Sequence, residues 1–133
     1  MNNKILFLCP HNAAKSVIAV AYFNKLAQQL GLPFVADSAG TEPSDAVSPV
    51  VVSMLAAEGF DVSHCTPRMV TQEDLQSAGR IISMGCTPEE LQFASERIEI
   101  WQDVPMVSQQ PEEAHETIRV RVGQLVAELQ EVR

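Results

Sequence analysis

Positive charge is scarce in this chain: nine lysines and arginines face seventeen aspartates and glutamates, a formal net charge of −8 over 133 residues. Nothing here builds the broad basic face that nucleic acid or an acidic membrane surface demands. Any anion must therefore be captured by a local site working against the overall field. Long apolar runs are missing too, and none approaches the roughly 20 residues of a membrane span. At the N-terminus only Ile5 to Leu8 is apolar, too short a core for a signal peptide, which points to the cytoplasm. The cysteines, Cys9, Cys65 and Cys86, are odd in number and irregularly spaced. That favours reduced thiols with a catalytic use over a disulfide framework. Apart from the adjacent His64 and Cys65, no cysteine and histidine have zinc-ligand spacing, so no metal site is expected.

What is present is ordinary globular material, 46% hydrophobic and 20% charged, without repeats, low-complexity tracts or linkers. We read it as a single domain spanning residues 1–133. Lys4 to Leu8 reads as a strand. Helical spacing of Val20, Phe23, Ala27 and Leu30, with Leu26 beside them, predicts a helix over Ser16–Leu30, ended by Gly31 and Pro33. A second strand follows at Phe34–Ala36. Ser48 before Pro49 predicts a capped helix running to Gly59. A short helix at Gln72–Ser77 precedes a third strand, Arg80–Met84. Pro88–Ala94 reads as another short helix and Ile98–Trp101 as a fourth strand. The last helix begins near Pro111, with Glu112 and Glu113 in its first turn to suit the dipole. Its core stripe is Ile118, Val122, Leu125, Val126 and Leu129, and His115 is expected in solvent. Alternating strands and helices imply a parallel sheet covered on both faces, with ligands beyond the carboxyl ends of the strands.

The loop leaving the first strand reads Cys9-Pro10-His11-Asn12-Ala13-Ala14-Lys15-Ser16. It joins a buried strand to a helix N-terminus, so its amides and the dipole can converge on one oxyanion. Small side chains at Ala13 and Ala14 permit close approach, and Asn12 tolerates the left-handed backbone of a tight nest. A thiol at the mouth of such a nest is favoured as thiolate, hence as nucleophile. Lys15 adds a positive charge. The alternative is a Cys9 that simply packs as a small hydrophobe.

This loop resembles the signature of the low-molecular-weight protein tyrosine phosphatases and of the thiol-dependent arsenate reductases that share their fold. That signature is cysteine, five residues, arginine, then serine or threonine; Cys9, Asn12 and Ser16 match. The similarity continues through Asp37 to Thr41, Phe60 to His64, Ile81 to Cys86 and Trp101 to Pro105, in order along nearly the whole chain. It implies a doubly wound four-stranded parallel sheet of order 2-1-3-4 with helices on both faces. It further implies a phosphate-binding loop formed by Pro10, His11, Asn12, Ala13, Ala14, Lys15 and Ser16. Two departures matter. Lys15 stands where the family has arginine, exchanging a two-toothed fork for a point charge. Losing one or two charge-assisted hydrogen bonds, at about 1.5–3 kcal/mol each, slows chemistry by about 10- to 10⁴-fold. His11 replaces a usual glycine, either crowding the pocket or supplying a donor. The family's general acid directly precedes a proline, whereas Val104 precedes Pro105, and a shifted alignment puts Met106 there. Asp103 is the nearest carboxylate.

In the resembling reductases, the segment matching Met84-Gly85-Cys86 carries a resolving thiol. With strand three beside strand one, about 4.8 Å away, Cys9 and Cys86 emerge at the same sheet edge, within disulfide range. Cys86 is thus either a resolving thiol, oxidised in turn by a thiol donor or redoxin, or a packing residue. Cys65 is expected at the opposite end of the sheet in a structural role. Three functions remain open. One is an arsenate reductase-like oxidoreductase using Cys9, Lys15, Cys86 and Asp103. Another is a hydrolase of the tyrosine phosphatase type acting on a phosphorylated substrate, weakened by an aromatic content of 5%. The last is a non-catalytic relative that binds phosphate or a partner. No cofactor is expected in any of them.

Overall fold

The computed structural model describes residues 3–86 and 98–131. Ile5, Leu6, Phe7 and Leu8 are all buried on β1 (Lys4–Leu8), as a strand covered on both faces requires. Beside it lie β2 (Val35–Ala39) and β3 (Arg80–Ser83), and β4 (Ile98–Ile100) pairs with β3. The order is β2-β1-β3-β4, with every pairing parallel. Leu8 faces Ala39 on one side and Ser83 on the other. The loops after β1, β2 and β3 therefore leave from one edge.

Four helices complete the described residues: α1 (Lys15–Gln29), α2 (Pro49–Ala57), α3 (Gln72–Ser77) and α4 (Pro111–Glu131). Ile5 and Phe7 point into a core shared with α1, α2 and α4, and all five stripe residues of α4 are buried there. Leu6, Leu8 and Ile81 pack on the other face with Leu75 and Ala78, at α3 and its end. Helices on both faces are thus observed. None of the described helices is long and apolar enough to cross a membrane. The helix expected over Pro88–Ala94 lies outside the described residues.

Four local expectations are corrected. The stripe of α1 is wider than read: Val17, Ile18, Ala19 and Tyr22 are buried with Phe23 and Ala27, because this helix touches both the sheet and α4. Leu30 lies beyond the last helical turn and is 44% exposed, while Leu32 enters the core in its place. His115 is buried, not solvated. Its Nε2 stands 2.6 Å from the Tyr22 hydroxyl and 2.5 Å from Glu58 Oε2, since α4 carries it against α1 and the end of α2. Ser48 makes no side-chain cap to α2, although Pro49 opens that helix as expected. Its backbone N–H instead donates to Ala13 in the cysteine loop, at 2.8 Å. The reciprocal cap in the fold is at α3, where Thr71 and Asp74 each bond the other's backbone N–H. Their Thr-x-x-Asp spacing was visible in the sequence.

Candidate active site

Cys9 follows β1 and is buried, its side chain on the face of Ile5 and Phe7. The chain turns sharply after it: Asn12 N–H donates to the Cys9 carbonyl at 3.3 Å, and Asn12 adopts the left-handed φ of 50°. This turn aims Ser16, in the first turn of α1, back at the sulfur. Ser16 N–H donates to Cys9 Sγ at 3.5 Å, and the Ser16 hydroxyl lies 3.0 Å from the same atom. Asn12 Nδ2 donates to that hydroxyl oxygen at 2.9 Å, leaving the hydroxyl proton for the sulfur. A thiolate at Cys9 therefore meets two donors and the positive end of α1. The amides of His11, Ala13, Ala14 and Lys15 donate to no group among the described residues. They remain available as donors.

The loop is held from outside. Asn12 also donates to Ser38 Oγ, on β2, and accepts from the Arg68 backbone N–H, each at 2.9 Å. The carbonyls of Pro10, His11 and Ala13 accept from Glu42, Ser44 and Ser48. Beneath them runs Gly40, where a Cβ would stand 2.5 Å from the Pro10 oxygen and 2.7 Å from that of Cys9. Only glycine fits there. The Arg68 guanidinium bonds Asp74 and Asp37, so this support is itself braced by charge. Burial pushes the Asp74 carboxyl up, but the Arg68 and Thr71 hydrogen bonds outweigh it and hold the pKa at about 2.

Sequence reasoning named Asn12 and Ser16 but missed Ser38, Gly40 and Arg68. These come from remote segments; Ser38 and Gly40 fall in the Asp37 to Thr41 stretch of the resemblance, and no sequence signal pointed to Arg68. His11 is exposed and donates Nδ1–H to the Glu42 carbonyl at 2.9 Å, so it neither fills the pocket nor faces it. Lys15 is half-buried and lines an open cleft with Gly85, Cys86, Trp101, Gln102 and Val104.

Cys86 reaches the same edge as Cys9 but on the other layer. It packs with Leu6, Leu8 and Ala39, its sulfur 3.7 Å from Thr41 Oγ1. The turn that carries it is pinned by Ser83, whose hydroxyl both donates to the Cys86 carbonyl and accepts its N–H, each at 3.0 Å. Gly85 supplies the φ of 115° that this turn needs, and the two thiols leave the same edge on opposite faces of the sheet.

Asp103 is not among the residues that line the cleft. Its carboxylate accepts from Arg121 of α4 at 3.1 and 3.2 Å, and these hydrogen bonds hold its carboxyl below the usual range. Val104 is buried and Met106 is exposed. Cys65 is corrected: the segment after α2 climbs back along α1, placing it exposed beside Asn12, Val17 and Ser38 near the active edge. Partial desolvation of this exposed residue pushes its thiol pKa up, with Asp61 adding to the effect.

A parallel sheet ordered β2-β1-β3-β4, whose first loop seats a buried cysteine against the start of α1, places the chain in the class of α/β phosphatase-like domains. The low molecular weight phosphotyrosine protein phosphatase model matches residues 4–120, and the chain belongs to that family. It is 31% identical over 128 residues to a Halobacterium salinarum protein named "Putative arsenate reductase", covering 95% of this chain and 89% of the relative. The crystal structure of YfkJ from Bacillus subtilis superposes with a TM-score of 0.85 at 25% identity, covering 100% and 98% of the two chains. A thioredoxin-dependent arsenate reductase of Corynebacterium glutamicum gives 0.80 at 26% identity, over 99% of this chain and 63% of that one.

Proposed function

We propose that this protein is a thiol-dependent arsenate reductase in which Cys9 is the nucleophile and Cys86 the resolving thiol. The observation that carries the reading is the Cys9 sulfur under two Ser16 donors, with a second thiol in the turn after the neighbouring strand. The amides of the loop, with Lys15, hold the arsenate oxygens. The Cys9 thiolate forms a sulfur–arsenic bond and an arsenic oxygen leaves as water. Cys86 then attacks Cys9 Sγ; the sulfur–arsenic electron pair passes to arsenic, which departs as arsenite. The Cys9–Cys86 disulfide left behind is reduced by a small thiol or a redoxin, restoring both thiols. We place the reaction in the cytoplasm, whose thiol pool keeps such cysteines reduced.

The cleft composition supports this reading over ester hydrolysis. Expulsion of an alkoxide or phenoxide benefits from a general acid, and no carboxylate lines the cleft among the described residues. The family match keeps phosphate monoesters as the second reading.

The test is arsenite formation with a dithiol or redoxin, beside aryl-phosphate hydrolysis, in wild type, Cys9→Ser and Cys86→Ser. Cys9→Ser abolishes arsenite formation. Cys86→Ser abolishes it too while retaining phosphate binding, and a Cys9–Cys86 disulfide is trapped in wild type by alkylation and mass spectrometry. Ester hydrolysis without arsenite formation selects the phosphatase. Phosphate binding with neither activity selects the non-catalytic relative.

A further inference from the structure

Asp103 lies between two residues that line the cleft, Gln102 and Val104, but its carboxylate is turned onto α4. Arg121 meets it with a fork: Nε donates to both carboxylate oxygens, and Nη2 lies 3.0 Å from Oδ1. The guanidinium is itself anchored, 5.7 Å over the ring of Trp101, which packs on Phe7. Trp101 lines the cleft as well. One side of the Trp101–Val104 segment thus faces the cleft beside Lys15 and Cys86, while Asp103 is held on α4. The Asp103 and Arg121 side chains are 51% and 36% exposed, so the pair is a bias on orientation rather than a lock.

We propose that Arg121 is a specificity-determining positioning residue: by holding Asp103 on α4 it withholds the proton donor that phosphate esters require and leaves the cleft to arsenate. The inference rests on Cys9 as nucleophile. Arsenate exchanges its oxygens with water readily, so the departing oxygen needs little help. An aryl phosphate must expel a phenoxide. With Asp103 turned inward and protonated, Cys9 forms the sulfur–phosphorus bond, the phosphorus–oxygen bond breaks, and Asp103 hands its proton to the leaving phenol. Water then attacks the phosphocysteine, Asp103 takes back a proton, and phosphate and thiolate are released.

The test compares wild type, Arg121→Met and the double variant Arg121→Met with Asp103→Asn. Methionine keeps an apolar stem over Trp101 and loses the fork. Hydrolysis of phenyl phosphate and of p-nitrophenyl phosphate is measured beside arsenite formation. General-acid help is worth about 10²- to 10⁴-fold, and we expect part of it: phenyl phosphate hydrolysis rises by at least about 10-fold in Arg121→Met. The rise is smaller for p-nitrophenyl phosphate, whose leaving group needs less protonation, and the Asp103→Asn change erases it. Arsenite formation stays within about twofold. Arg121→Lys, which keeps the charge without the fork, gives a smaller rise and serves if the methionine variant does not fold. An absent rise, or one that survives Asp103→Asn, overturns the proposal. Arsenite formation in wild type without any ester gain defeats this inference alone; an ester gain without arsenite formation defeats the reductase reading alone.

Discussion

Replacing Asn12 by alanine removes three hydrogen bonds at one stroke: those to Ser16 Oγ and Ser38 Oγ, and the one from the Arg68 N–H. At about 1 kcal/mol net for each, the loss is about 3 kcal/mol. Asn12 is buried at 2% exposure, so water does not readily replace the missing amide. Its φ of 50° adds a separate cost, about 1 kcal/mol, once a residue without asparagine's local bonding must hold it. The expected total is about 4 kcal/mol for Asn12→Ala and about 3 kcal/mol for Asn12→Gly, which lacks the backbone term. Urea unfolding followed by far-ultraviolet circular dichroism and by the single tryptophan reads both. The two variants should differ in midpoint at equal slope. A loss below about 1.5 kcal/mol in Asn12→Ala, or identical midpoints, refutes the reasoning that Asn12 both bonds and bends this loop.

Lys15→Arg restores the two-toothed grip and should raise kcat/KM for arsenate by about 10-fold or more, measured by arsenite release; no gain means the cradle does not use that position. Asp74, lowered to about 2 from 3.8, contributes stability that is fully present above pH 4 and is lost as pH falls toward 2. The amount is about 2 kcal/mol, so urea midpoints of wild type and Asp74→Asn should converge over that window. Tyr22 is the only tyrosine, and burial, then Glu58, push its hydroxyl above the usual range. Its alkaline absorbance titration should coincide with unfolding by circular dichroism; a phenolate appearing near pH 10 in folded protein contradicts the buried Tyr22–Glu58–His115 contact.

The strands and long helices were legible because burial imposes a period on them. Ile5 to Leu8 is uniformly apolar since both faces of β1 are covered, and the α4 stripe recurs at helical spacing because one side packs on α1. Where a polar residue finds a remote partner, periodicity is silent. His115 has the sequence setting of a solvated helix start, and only the approach of Tyr22 and Glu58, from two other helical segments, explains its burial. Cys65 was misplaced because the path of the chain after α2 is set by contacts rather than by pattern. At the candidate site, Cys9, Asn12 and Ser16 were readable from the resemblance of eight consecutive residues to the family signature. Gly40 and Arg68 were not, since their role exists only once β2 and the segment before α3 meet the loop. The orientation of Asp103 likewise depends on Arg121, eighteen positions away.

The backbone of Gly40 lies against the carbonyls of Cys9 and Pro10 with no room for a methyl group. The curvature of the cysteine loop is consequently dictated by a neighbour outside the loop. Lys15, which lines the open cleft, can then be exchanged without redrawing the loop's path, because it takes no part in that contact. Shape is inherited from the second strand, and chemistry is left to vary on the first.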